Sequence, residues 1–492
     1  LSQIFFMFII AFVLSLLLTP LARWLGVRLK AFDVPSERNV HTRPIPRTGG
    51  LAILLSLILT NIICNIIYGD KAPLFLTHAQ YSYVTLGGIF IFAVGFFDDF
   101  KRLGPRIKFL CQILAASIAF YAGVRIETIF SINIHGVFFS IFSWVITVAW
   151  FLLIINAINL IDGLDGLAAG VTFIAMGVLI VMNAVAGHSV TLGKLVIMAG
   201  VLLGFLRYNF NPASIFMGDG GSYFLGYFIA VISIIDSSKS ALGISIVIPL
   251  LVLGVPVFDT LIAPVRRFLS GKKMFHPDKK HIHHLLLSKG LTQKNVVLII
   301  YGITAVLCVF ALIMIFFRNN VTTGIVVTLI VIIALISVKK LGYLEYLILD
   351  KILGWIRDVT DATRHSSYSG SYLTLLGELK NTNNLKLFWE KACKAFEMIQ
   401  VEAAELRIAK PVKLKSKSFS KRAEVLLWKK SNAPRNKMMR LEIPLGAGNP
   451  VNAKLIVFKN LTENNIRPYT LRRIRQLRLS METALKRIYE KK

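Results

Sequence analysis

The sequence predicts an all-α polytopic membrane protein of about eleven transmembrane helices, followed by a small cytoplasmic α+β domain. Three observations predict it. Of the 492 residues, 55% are hydrophobic and only 17% are charged, where a soluble domain carries about 25% charged residues. The apolar residues gather in long uncharged runs, and about 20 such residues cross a hydrocarbon core roughly 30 Å thick. The charge is also uneven. Residues 1–338 hold 24 Lys and Arg against 12 Asp and Glu, whereas residues 339–492 hold 32 against 14, within a total net charge of +30. These features exclude an ordinary soluble enzyme and a disordered or collagen-like chain. Cys64, Cys111, Cys308 and Cys393 stand far apart and support neither a disulfide framework nor a zinc knuckle.

The expected organisation is a membrane-embedded domain over 1–338, an amphipathic connector and linker over 339–383, and a cytoplasmic α+β domain over 384–492. Spans are expected at 4–23, 51–68, 84–97, 107–122, 144–160, 167–186, 195–207, 223–235, 241–263, 296–317 and 321–338. The first runs through Leu16-Leu17-Leu18 without an Ala-x-Ala cleavage site, so it reads as a retained span rather than a signal peptide.

Lys and Arg counts in the loops set the topology. Arg28, Lys30, Arg38, Arg43 and Arg47 follow the first span, Lys101, Arg102, Arg106 and Lys108 follow the third, and a run from Arg266 to Lys289 follows the ninth. The alternate loops hold one or two basic residues each. The basic loops and the terminal domain are therefore expected in the cytoplasm and the N-terminus outside. The polar motifs, which played no part in that assignment, fall on the same side. The external loops carry no comparable cluster.

Ionisable groups at span ends suggest function by default. Asp98-Asp99 close the third span, either as solvated interfacial carboxylates or as a pair beside a cation or phosphate. Asn156, Asn159, Asp162 and Asp165 recur at intervals of three across the end of a span and a glycine-punctuated turn. Residues at i and i+3 share a helix face, and Asn and Asp oxygens are the hard ligands that magnesium prefers. An Asx-rich helix cap explains the two aspartates but leaves two intramembrane asparagines without a reason. Gly218-Asp219-Gly220-Gly221 places a carboxylate in a turn whose glycines permit close approach of a phosphate. His276, His281, His283 and His284 have spacing that suits zinc, but the surrounding cations and lack of cysteine favour an anion. Together these groups are equipment for phosphoryl transfer at a membrane surface, where catalysis is positioning and charge neutralisation.

At this point five motifs in order resemble a known family, the polyprenyl-phosphate N-acetylhexosamine-1-phosphate transferases (the WecA, TagO and MraY group). They are Asp33-x-Pro35-x-x-Arg38-x-x-His41 through Gly50, Gly95-Phe-Phe-Asp98-Asp99 with Pro105-Arg106-x-Lys108, Asn156 to Asp165, Phe216-Met217-Gly218-Asp219, and His276 to His284. The His-x-His-His ending is similar to the N-acetylglucosamine branch rather than the muramoyl-pentapeptide branch. Lys279 stands where the family often has Arg, and Gly220 where it often has Ser.

The resemblance implies Mg²⁺-dependent transfer of a sugar 1-phosphate, N-acetylglucosamine 1-phosphate first, from a UDP-sugar to undecaprenyl or another polyprenyl phosphate, with release of UMP. Mn²⁺ is an expected substitute. Carried over by position, Asp219 and Asn159 serve the metal, and Asp98, Asp99, Asp162 and Asp165 are the catalytic carboxylates. Arg38, His41, Arg102, Lys108, Asn156, His281, His283 and His284 bind substrate. The implied setting is a bacterial inner membrane. The expected partners are the UDP-sugar, the polyprenyl phosphate and membrane lipid; a homodimer stays open and no nucleic acid is expected. Competing readings are phospho-muramoyl-pentapeptide transfer and, from another class, an anion transporter with a sensor domain. A transporter keeps its polar groups near the bilayer midplane, whereas here they collect at one surface.

Beyond residue 339, 341–361 reads as an amphipathic connector and 366–371 as a flexible joint. Helices are expected at 384–399 and 467–489, with strands at 401–408, 423–428, 438–445 and 454–458 between them. That order resembles a GAF-type sensor module in fold alone. Arg472, Arg473, Arg475 and Arg478 read as the solvated face of the last helix.

Overall fold

The computed structural model describes residues 2–33, 43–69, 79–129, 132–133, 137–238, 244–269, 281–317, 324–326, 328–329, 372–399, 401–409, 423–429, 438–445, 452–460 and 468–490. The chain divides into two compact units, Leu1–Ser337 and Val338–Lys492.

The first unit is a helical bundle. Its elements are α1 (Ser2–Arg28), β1 (Phe32–Asp33), β2 (Ile45–Pro46), α2 (Gly49–Tyr68), α3 (Ala79–Lys101), α4 (Pro105–Tyr121), β3 (Thr128–Ile129), β4 (Ile132–Asn133), α5 (Val137–Ile161), α6 (Leu167–Ala186), α7 (Ser189–Asn209), α8 (Gly218–Ser238), α9 (Ile244–Val252), α10 (Gly254–Leu269), α11 (Ile282–Ser288) and α12 (Gln293–Phe316). Among the described residues, eight helices are long and apolar enough to cross a membrane: α1, α2, α3, α5, α6, α7, α8 and α12. Three of the eleven expected spans differ. The one at 107–122 is the 17-residue α4. The one at 241–263 is broken into α9 and α10, because Pro256 has no N–H to continue the ladder. The one at 321–338 lies almost wholly outside the described residues.

Close approach of small residues holds the bundle, as expected where lipid offers no hydrophobic drive between helices. The inward stripe of α1 is Met7, Ala11, Ser15, Thr19, Ala22 and Gly26. It meets Gly200 and Gly204 of α7, where an added Cβ would stand 2.5 Å from the Phe8 carbonyl and 2.7 Å from that of Phe12. Leu17, Leu21 and Trp24 face outward and are exposed, the surface a hydrocarbon solvent would cover. Helix α8 is the central post, with every residue from Gly220 to Ile234 buried. It packs against α2, α3 and α5.

Helices α3, α5 and α8 outrun their apolar segments. Asp98, Asp99 and Asp219 therefore sit in terminal helical turns rather than in loops beside them.

The second unit contains α13 (Tyr372–Lys380), α14 (Leu385–Met398), β5 (Ala403–Ala409), β6 (Ala423–Lys429), β7 (Met438–Leu445), β8 (Asn452–Asn460) and α15 (Pro468–Glu490). The strands form one antiparallel sheet in the order β6-β5-β8-β7. Alternation puts Ala404, Leu406 and Ile408 on the face that buries Phe388, Phe396, Leu477 and Met481. Helix α13, within the stretch read as a linker, contributes Tyr372, Leu376 and Leu379 to this core. Arg473 departs from the expected solvated face: it is buried and its guanidinium lies 4.7 Å from the Tyr372 ring centroid. The expected connector at 341–361 and the joint at 366–371 lie outside the described residues.

Candidate active site

The C-terminal end of α3, the C-terminal end of α5 and the N-terminal end of α8 meet at one end of the bundle. Their approach depends on two glycines. At Gly95 a Cβ would fall 2.5 Å from the Asp219 carbonyl oxygen, so only a bare backbone lets α3 come this near to α8. Gly218 has φ +75°, a left-handed geometry, and a Cβ there would be 2.5 Å from Asp99 Oδ2.

Asp99 accepts from the backbone N–H groups of Asp219 (2.9 Å) and Gly220 (3.1 Å), one on each carboxylate oxygen. Free N–H groups and the positive end of the helix dipole make this first turn of α8 suited to an anion. Asp219, raised on that turn, projects its own carboxylate between two neighbours. Asn159 Nδ2 donates to Oδ1 (3.1 Å) and Lys108 Nζ donates to Oδ2 (3.0 Å). Lys108 also pairs with Asp98, which accepts from the backbone N–H of Leu103. A single ammonium thus stands between carboxylates from α3 and α8. Ser222 completes the group by accepting from Asn159 at 3.0 Å.

Around this centre stand further charges. Arg47 pairs with Asp33 at 3.1 Å. Burial works against its charge, but Asp33, Asp99 and Asp219 outweigh that and raise its pKa, so the guanidinium stays charged. Asp162 lies in the turn after α5, where burial and then repulsion from Asp219 hold its carboxyl well above the usual range. His283 is held neutral, its pKa lowered to about 3 by burial and then by repulsion from His284 and His281.

The structure distributes the expected site residues unevenly. It brings together Asp98, Asp99, Asp219, Asn159 and Lys108, with Asp162 nearby. Asp165 turns away: its Oδ2 accepts from Asn211 Nδ2 (3.0 Å) and the Ala213 N–H (2.9 Å), tying two turns together. Asn156 is also committed elsewhere, donating to Gln112 Oε1 of α4 at 2.8 Å. Arg102 is exposed in the turn after α3. His281, His283 and His284 cluster at α11, the first two rings stacked and the third tilted, with His283 against Gly163 of the turn after α5. Arg38, His41 and His276 lie outside the described residues.

Four polar groups went unmarked as site residues in the sequence: Arg47, Gln112, Ser222 and Asp259. Gln112, Ser222 and Asp259 find their partners 44, 63 and 22 residues along the chain, so no local pattern exposes them, whereas Arg47 pairs with Asp33 inside the first basic loop. A polar cluster at the opposite end of α8 is unexpected for the same reason. There Asn183 donates to Asp236 at 2.7 Å and His188 lies 3.8 Å from the same carboxylate. Between α2, α3 and α8 lies a cavity of about 300 Å³ lined by residues including Leu54, Leu57, Phe224 and Val231. None of its lining residues ionises near neutrality, so acid–base or anion chemistry belongs to the carboxylate end.

The oxygen donors present fit a divalent cation. Among the described residues no three His, Cys, Asp or Glu side chains form a closed metal cage. Magnesium does not need one, since it binds through one or two carboxylates plus waters and substrate phosphates.

A glycosyl transferase family 4 model matches residues 81–237, which span α3 through most of α8. A probable undecaprenyl-phosphate N-acetylglucosaminyl 1-phosphate transferase of Bacillus subtilis is 38% identical over 312 residues, covering 62% of this chain and 84% of the relative. The chain belongs to this family of transferases. A decaprenyl-phosphate N-acetylglucosaminephosphotransferase of Mycobacterium leprae is 35% identical over 361 residues, covering 67% and 88%. A phospho-N-acetylmuramoyl-pentapeptide-transferase of Staphylococcus carnosus is 36% identical over 310 residues, covering 58% and 91%. The chain is thus a membrane phosphotransferase enzyme of the family 4 type.

Proposed function

We propose that this transferase moves N-acetylglucosamine 1-phosphate from its UDP-sugar to a polyprenyl phosphate, with Mg²⁺, at the cytoplasmic face of a bacterial inner membrane. The observation that carries the reading is the meeting of Asp98, Asp219 and Asn159 around the Lys108 ammonium, beside Arg47. Two polyanionic reactants approach each other only where cations offset their repulsion, and this end of the bundle supplies them. The names of the Bacillus and Mycobacterium relatives support the acceptor and the sugar.

In the reaction a lipid phosphate oxygen attacks the β-phosphorus of the UDP-sugar. The bond from that phosphorus to the bridging oxygen breaks, and UMP leaves with the electron pair. Asp219 and Asn159 would hold the cation, which would supply neutralisation of the diphosphate charge. Lys108 and Arg47 anchor phosphate oxygens. Asp98 orients the lipid phosphate, and Asp99 keeps α8 in the register that presents Asp219. The basic residues of 101–108 and 266–289 support a cytoplasmic setting for this end of the bundle. The sheet of the second unit, covered by helices on one face, fits a GAF-like regulatory module.

The test is incubation of purified protein with polyprenyl phosphate, Mg²⁺ and a panel of UDP-sugars. UMP release with UDP-N-acetylglucosamine supports the reading. Release only with the UDP-muramoyl-pentapeptide would move the chain to the other branch, and no release with any donor would refute the transfer.

A further inference from the structure

The histidine cluster hangs on a carboxylate that the transfer chemistry above does not use. Asp259 lies on α10, 22 residues before His281, and is 7% exposed. One of its oxygens, Oδ2, accepts twice: from His281 Nδ1 at 3.1 Å and from the backbone N–H of Ile282, the first residue of α11, at 3.1 Å. An ionised carboxylate can only accept, so the proton of this pair sits on Nδ1 and Nε2 is left as the working nitrogen of the ring. The same oxygen therefore fixes both the orientation of the His281 ring and the position of α11.

The effect reaches the carboxylate turn. The rings of His281 and His283 stack with centroids 6.0 Å apart and planes 8° apart. His283 in turn lies against Gly163, where a Cβ would come 2.9 Å from its Nε2. Gly163 sits between Asp162 and Asp165. A chain of contacts thus runs from α10 to the turn after α5, and Asp259 is its fixed end.

We propose that Asp259 is a positioning residue for donor binding: it holds His281 by Nδ1 so that Nε2, carrying a proton in the imidazolium form of the ring, donates to the diphosphate of the nucleotide sugar. This rests on the transferase reading and adds the residue that makes the histidine loop competent. A general helix-capping role for Asp259 predicts something different, because a cap affects stability without distinguishing the two substrates.

The experiment uses the full chain in lipid nanodiscs and compares wild type, Asp259→Asn, His281→Ala and the double variant. UMP release gives KM for the UDP-sugar and for polyprenyl phosphate separately, and thermal unfolding gives Tm. Asp259→Asn is expected to raise KM for the UDP-sugar by about tenfold, the usual scale for a hydrogen bond to a charged group, with KM for polyprenyl phosphate unchanged. The double variant is expected to match His281→Ala within about twofold, since residues acting through one another are not additive. The proposal is overturned if Asp259→Asn leaves the donor KM unchanged. It is equally overturned if the two single effects multiply, or if both substrates weaken equally as Tm falls. A wild-type protein that releases no UMP from any donor would sink the transferase reading, and this proposal with it. A wild type that turns over while the two effects multiply would sink the Asp259 role alone.

Discussion

Asp99 uses both carboxylate oxygens to accept from the first turn of α8, whereas its neighbour Asp98 faces Lys108. Two adjacent acids therefore have different work, one holding a helix end and the other facing the cation. The same contrast separates Asp162, whose carboxyl burial and then Asp219 push well above the usual range, from Asp165, which is tied up in a turn. His283 carries a pH consequence. Its pKa is lowered from 6.5 to about 3 in the folded state, so the unfolded chain binds the extra proton first and acid favours unfolding. Stability is expected to be full above pH 6.5 and to fall as pH drops from there toward 3. Thermal unfolding at pH 7 and pH 5 checks this: His283→Gln should lose less Tm between the two than wild type does.

At the scale of elements, the site depends on how closely α3 approaches α8. Gly218→Ala combines a left-handed backbone with a Cβ placed 2.5 Å from Asp99 Oδ2. The backbone alone costs about 1–2 kcal/mol, and the clash pushes Asp99 off the helix end. Gly187 after α6 has the same φ of +75° but nothing within 4 Å. Gly187→Ala is therefore expected to lower Tm modestly and keep UMP release, while Gly218→Ala reduces release at least tenfold. Much of this level was legible in the sequence, because a carboxylate at the end of an apolar run is too costly to be incidental. The acids, their side of the bundle and the expected strands of the terminal unit followed from local pattern. The partners did not. Asn156 and Gln112 are 44 residues apart, Lys108 and Asp219 are 111 apart, and Asp99 and Asp219 are 120 apart. Nothing local marks such pairs. The break between α9 and α10 was legible in principle from Pro256, but the hydropathy of the run masked it.

Across the whole molecule, the chemistry lies in one unit and the second has its own core. Phe388 is fully buried among the helices and sheet of that second core. Phe388→Ala is expected to destabilise it by about 3–5 kcal/mol, making residues beyond 372 sensitive to protease while UMP release persists. Loss of release together with loss of the terminal unit would show that transfer depends on it. The account as a whole rests on one divalent cation gathered by Asp219 and its neighbours. Binding of Mn²⁺, used as a paramagnetic stand-in for Mg²⁺ and followed by electron paramagnetic resonance with UDP-sugar present, tests that most directly. The account predicts about one bound Mn²⁺ per chain in wild type and its loss in a folded Asp219→Asn. Equal Mn²⁺ binding by the two proteins would contradict it.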